Sequence, residues 1–309
     1  MKYLFVLFLA PLLLGGCKEK IKPQPGEELN PKTDSITNQN SNRDDIQSDT
    51  DHIRTIKDVD SISVSSNVAE IVRTVGNNHF SLRIELPHYD NGPVDRNIMS
   101  WINHNLEDSI RDSLDYNAGQ ENDTDFSEYQ TAYNQKFEGN LMDLNSLLKF
   151  YADKHFIIYH GDRLGIEYNI ECRKIFENKD VVSFEISEFF SNYAIMKTIN
   201  LHRGATFFKY NGQLLSWAFF EKSNVKNIVK KEINRQYLKF SQDAYDDFLK
   251  TTRYGEFYLP ENPPFMTRNG LKFIYRLGEL STKIQDGQIS CTVSPDNISL
   301  MTSLIDMLR

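Results

Sequence analysis

Apolar and polar residues alternate through His79-Phe80-Ser81-Leu82-Arg83-Ile84-Glu85-Leu86, and Pro87 ends the run. That period of two predicts a half-buried β-strand, with folded sequence beginning just ahead of it between Ile62 and Val75. Beyond a turn at Tyr89 to Pro93, Ile98, Ile102, Leu106, Ile110 and Leu114 recur every fourth position with Trp101 beside them. This is the spacing of an amphipathic helix, and Asp95 stands near its start. After a polar gap, Tyr129, Tyr133, Phe137, Leu141, Leu144, Leu148 and Tyr151 predict a second helical stretch.

Strand patterns then take over. Residues 166–190 read as two strands joined by a turn at Asn178-Lys179-Asp180, and Asn211-Gly212 predicts a hairpin between Ala205 and Trp217. Asn224 opens a third helix whose apolar side carries Val225, Ile228, Val229, Ile233, Tyr237 and Leu238. A proline-rich loop through Pro260, Pro263 and Pro264 leads to strands around Leu271–Leu277 and Gln288–Ser294, and a short helix is expected near Ile298 to Leu308. Strands and helices in mixed order predict an α+β fold: mixed or antiparallel sheets with helices packed on one face, in two subdomains.

The first residues have a different pattern. Lys2 precedes an apolar run from Leu4 to Leu14, too short for a bilayer-spanning helix and suited to a secretory leader. Leu14-Gly15-Gly16-Cys17 followed by Lys-Glu-Lys resembles the lipobox of bacterial lipoproteins, which implies cleavage before Cys17 and lipidation of its sulfur. From Lys18 to about Asp60 the sequence is rich in Pro, Asn, Ser and Asp, with no apolar period; such a segment cannot offset its ordering entropy and is expected to be a disordered tether. The expected organisation is a signal peptide over 1–16, a tether over 17–60, a first subdomain over 61–179 and a second over 180–309.

Composition narrows the function classes. A net charge of −8 argues against nucleic acid as a partner and suits a basic protein. With 20 Phe and 15 Tyr the chain can bury a large core. Besides Cys17, only Cys172 and Cys291 remain. Export favours a disulfide between them, and two separate buried thiols are the alternative.

Catalytic signatures are sparse. The chain has no G-x-S-x-G, P-loop, G-x-G-x-x-G or C-x-x-C spacing, so neither a cofactor nor a metal is expected. His155 and His160, flanked by Asp153 and Asp162, fall in a run taken as extended; residues five apart there face opposite ways, and both are expected to be surface histidines. A pair of carboxylates flanking a glycan would suffice for a hydrolase, but spacing selects none.

From Val181 onward, the order VVSFEISEFF, FFKYNGQLLSWAFFEKSNVKNIVKKEI and FYLPENPPFMTRNGLKFIYRLGELSTKIQDGQISCTVSPDNISLM resembles the envelope domain of the anti-sigma-V factor RsiV, also found beside some peptidoglycan deacetylases. Residues 61–179 resemble the smaller region that often precedes that domain. The resemblance implies a non-catalytic binding protein of the envelope whose ligand is a protein such as lysozyme or a cell-wall glycan; the lipobox-like start implies its lipid anchor, and Lys18, where inner-membrane retention signals carry Asp, points to the outer membrane. Pro263, Phe265, Gly278 and Glu279 are its candidate ligand-surface residues, with a structural hydrogen bond the favoured role for Glu279. Where relatives carry a Gly-Gly-Ala-His-Pro-like loop this chain has NYAIMKTIN. The alternatives are a peptidoglycan-acting enzyme and an accessory subunit of an envelope complex.

Overall fold

The computed structural model describes residues 59–89, 92–115, 131–158, 165–238, 242–281, 287–294 and 297. Cys17, the expected leader, His160, Asp162 and the expected C-terminal helix lie outside them, as does the expected tether except for Val59 and Asp60, which belong to a strand. Among the described residues no helix is long and apolar enough to cross a membrane.

Six strands form one mixed sheet in sequence order: β1 (Val59–Val64), β2 (Val68–Val75), β3 (Asn78–Glu85), β4 (Ile166–Glu177), β5 (Val181–Asn192) and β6 (Lys197–Phe208). Neighbours pair antiparallel except β3 and β4, which are parallel. A smaller antiparallel sheet holds β7 (Phe265–Thr267), β8 (Gly270–Ile274) and β9 (Ser290–Val293). The fold is α+β, as the order of patterns predicted.

Two helices cover one face of the large sheet. In α1 (Gly92–Asp115), Val94, Ile98, Ile102, Leu106 and Ile110 are fully buried and meet Phe184, Ile186 and Phe207 in one core. The second helix, α2 (Leu144–Ile158), lies over β1 to β3 and buries Leu147, Leu148 and Tyr151. Its start is fixed by Asp143, whose carboxylate accepts bonds from the Ser146 backbone N–H (3.3 Å) and hydroxyl (2.7 Å). That cap breaks the single helical stretch expected from Tyr129 to Tyr151. At its other end α2 runs through His155, which was expected to be extended and exposed and is instead fully buried against Phe80 at 4.8 Å.

The small sheet covers the opposite face over β4 to β6. A second core gathers Val181, Phe208, Met266, Leu271, Phe273 and Tyr275 with Val225, Val229 and Ile233 of α3 (Lys222–Ile233). A further helix, α4 (Gln242–Leu249), adds Phe248 to that core; two apolar anchors in eight residues left no period to read in the sequence. The anticipated Asn211-Gly212 hairpin forms with a short second arm: the Phe207–Leu214 bridge is flanked by bonds from the Phe208 N–H to the Gln213 carbonyl (2.9 Å) and from the Leu215 N–H to the Thr206 carbonyl (2.8 Å). Gly212 itself adopts φ +71° and comes so close to α1 that a Cβ would stand 2.9 Å from Val94 Cα.

Two expectations are corrected by this packing. The boundary placed between residues 179 and 180 falls in the turn of the β4–β5 hairpin, so both sides belong to one sheet. Cys172 and Cys291 are free, buried in separate cores; burial raises both thiols, Cys291 to about 12, which leaves them as small apolar side chains.

Gly204 sets the distance between the layers. A Cβ there would lie 2.4 Å from Phe265 Cε1, so no side chain fits between β6 and β7. Gly204→Ala is expected to cost about 1–3 kcal/mol by overpacking, read as a lower urea midpoint, and Phe265→Leu in the same chain is expected to recover part of it.

Candidate functional site

At β6 the large sheet ends in a free edge. The layers on its two faces extend past that edge and flank it: α1 on one side, the proline loop and the turn after β8 on the other. Between them opens a cavity of about 180 Å³ lined by Trp101, His104, Asp108, Arg203, Asn262 and Arg276, among others. Its floor is the edge strand at Arg203 to Ala205. Peptide groups of an antiparallel edge strand point inward and outward alternately. Thr206 and Phe208 use their outward groups on Leu215 and Gln213, and the His202 N–H donates to Gln288 Oε1 (2.6 Å). The same alternation aims the peptide groups of Gly204 at the cavity.

Beneath this floor lies a buried polar network. Arg203, 9% exposed, reaches Glu188, 4% exposed, at 3.1 Å, the Ser109 hydroxyl at 2.5 Å and the Asn105 carbonyl at 2.9 Å. Ser109 Oγ and Tyr168 Oη also lie 2.7 and 2.9 Å from the two oxygens of Glu188. A buried carboxylate so surrounded has its charge and lone pairs matched, which is what burial requires. The network fixes α1, β4, β5 and β6 to one another and so fixes the cavity wall.

A second carboxylate, Glu185, faces the small sheet. Lys272 lies 2.8 Å away, Arg173 3.3 Å and His202 Nδ1 3.6 Å. Burial opposes its charge, but His202 and Lys272 outweigh it and hold the carboxyl at about 2. On the cavity rim, Asp108 pairs with Arg111 and lies 3.7 Å from His104 Nε2.

The residues anticipated as ligand surface divide. Pro263 lines the cavity. Phe265 does not: it is buried in β7, filling the space over Gly204. Gly278 makes an exposed turn at φ +68°. Glu279 ties that turn to the proline loop, accepting from the backbone N–H groups of Glu261 and Arg276, each at 2.6 Å, while burial raises its carboxyl. Its role is the structural one favoured from sequence.

Trp101, His104, Asp108, Asn262 and Arg276 were not singled out as site residues. One signal was available: Asn105 and Ser109 form a polar i, i+4 pair beside the apolar stripe of α1, and Glu185 and Glu188 interrupt an otherwise apolar strand. Charges in such places need interior partners.

No protein-family model and no curated protein matches the chain. Solved structures do. One is a member of the DUF3298 family from Bacteroides fragilis, with 9% identity and a TM-score of 0.43, over 82% of this chain and 95% of that one. Another is a DUF3298 family protein from Pseudomonas aeruginosa, with 8% identity and a TM-score of 0.42, over 80% and 93%.

Acid is expected to loosen the structure in two stages. His155 is held down to about 3, chiefly by burial, with Arg73 and His79 adding to it. Its contribution is complete above its unfolded value of 6.5 and is lost as the pH falls toward 3. Glu185 likewise contributes above 4.5 and loses its contribution toward pH 2. Urea midpoints measured from pH 7 to pH 3 are expected to fall less steeply between 6.5 and 4.5 in His155→Phe, and less steeply below 4.5 in Glu185→Gln. Breaking the other pair, with Glu188→Gln, is expected to cost about 3–5 kcal/mol at neutral pH.

Proposed function

We propose that this chain is a non-catalytic binding protein of the bacterial envelope, of the RsiV-like type, held to the outer membrane by lipid on Cys17. Its ligand in this reading is cell-wall glycan, and the edge cavity takes one N-acetylated sugar ring. The outward peptide groups of Gly204 carry the proposal: an adjacent N–H and C=O at a strand edge match the C=O and N–H of an acetamido group. Trp101 supplies apolar surface for ring C–H groups, and Asn262 and Arg276 supply planar hydrogen-bonding groups for hydroxyls. Sites for drug-sized molecules run to roughly 300–1,000 Å³; the smaller volume here suits a single ring. The carboxylates near the cavity sit in ion pairs with Arg203 and Arg111, which favours recognition over proton transfer.

The anchoring rests on the short apolar leader, Gly15-Gly16 ahead of Cys17, and the abrupt polar switch after it. A second reading, a basic protein ligand such as lysozyme, is favoured by the net charge of −8.

Calorimetric titration of the mature chain with soluble muropeptides is expected to show saturable binding. The exposed Arg276→Ala should weaken it about tenfold, equivalent to about 1.4 kcal/mol. No heat with muropeptides but saturable, salt-sensitive heat with lysozyme would replace the glycan by the protein ligand. Cys17→Ala is expected to abolish acylation, read by the loss of the lipid mass and of signal peptide cleavage.

A further inference from the structure

The β5–β6 hairpin ends in four consecutive exposed residues, Tyr193-Ala194-Ile195-Met196, none of them charged. Met196 is 93% exposed and Tyr193 61%. Exposed apolar residues are ordinary when scattered; a contiguous group at one projecting tip is not. Met196 also stands at φ +52°, in the left-handed region that disfavours any residue with a Cβ. Glycine or asparagine would relieve that conformation, yet a large apolar side chain occupies it. The tip is braced: the Tyr193 N–H donates to the Gly165 carbonyl (3.1 Å), its hydroxyl to Glu167 (2.6 Å), and the Ala194 N–H to Asn192 Oδ1 (3.0 Å).

Strand register shows which way this tip faces. Val59 pairs with Thr74, Thr74 with His79, His79 with Glu167, Glu167 with Ser191 and Ser191 with Thr198. One transverse row therefore joins Val59, where the chain enters the sheet, to the base of the hairpin. Both lie at the same end, five strand spacings of about 4.8 Å apart. Val59, the first described residue on the Cys17 side, thus lies at the end that carries the exposed tip.

We propose that the 193–196 tip is an interfacial membrane contact: Tyr193, Ile195 and Met196 enter the headgroup and upper acyl region of the bilayer that holds Cys17. Lys197, a cation, follows directly at the base of the tip. Tyr beside aliphatic residues suits the boundary between water and acyl chains. The orientation rests on the anchored reading given above; the apolar tip itself does not.

The test uses the acylated mature chain reconstituted into phosphatidylethanolamine and phosphatidylglycerol vesicles. Met196→Cys is labelled with an environment-sensitive fluorophore, since Cys172 and Cys291 are buried and Cys17 is blocked by its lipid. Tyr210→Cys, at a side chain 68% exposed beyond the other end of β6, is the control. The 196 label is expected to shift to the blue and to be quenched severalfold more strongly by brominated lipid than the 210 label. Equal, water-like emission at both sites on an acylated chain overturns the proposal. If mass spectrometry finds Cys17 without lipid, the anchored reading fails separately. A chain with Cys17→Ser, labelled at 196 alone, is then mixed with the same vesicles: saturable quenching at 196 sustains the tip contact, and its absence overturns it.

Discussion

Strand β5 is covered on both faces, by α1 on one and by the small sheet on the other, and it nevertheless carries two glutamates. Neither can stay charged in a low-dielectric interior without a cation at hand. Glu188 finds Arg203 on the helix side, and Glu185 finds Lys272 on the small-sheet side. Each pair joins β5 to a neighbouring element: through Asn105 and Ser109 the first holds α1, and the second holds β8. Removing a buried charge pair whole can be nearly neutral, whereas removing one member leaves the other stranded. The pairs therefore act more on the position of the layers than on the total stability.

The edge cavity follows from that positioning. An exposed sheet edge invites another chain, and proteins commonly cover or blunt it. Here β6 is covered above by the Phe207–Leu214 bridge and below by Gln288, leaving a short interval around Gly204. Because Gly204 has no side chain, Phe265 can press on the strand from one face, while Trp101 and Asn105 flank the interval from the other. What the interval exposes is therefore main chain held in place by packing.

Much of the architecture was legible where one period dominated. The fourth-position apolar stripe of α1, the alternation of β3 and the Asn178–Asp180 turn each settle into the predicted element. Where competing local chemistry intervened, pattern alone misled. Asp143 caps a new helix inside a continuous-looking apolar stretch, and the hairpin at Gly212 forms but its returning arm is short. The stretch around His155 reads as extended, which would expose it; as part of a helix lying on the sheet, it points into the core. The cavity was the least legible feature. It is assembled from α1, the β6 edge, the proline loop and the turn after β8, elements that run from Trp101 to Arg276, and sequence spacing carries no record of such convergence.

The parallel junction of β3 with β4 has a consequence for how the chain acquires its structure. The strands before it, β1 to β3, and those after it, β4 to β6, each close through short turns between sequence neighbours. The junction instead pairs residues 79–84 with 167–172, across the whole of α1 and α2. Loop-closure entropy must be met before such a distant pairing returns any energy. Topology therefore makes the two three-strand blocks local units, α2 lying over the first and α1 over the second, and makes their docking the step with the largest loop-closure cost. With both cysteines free and in separate cores, no covalent link guides that docking. The helix-side core, which draws on both blocks, has to align them by itself.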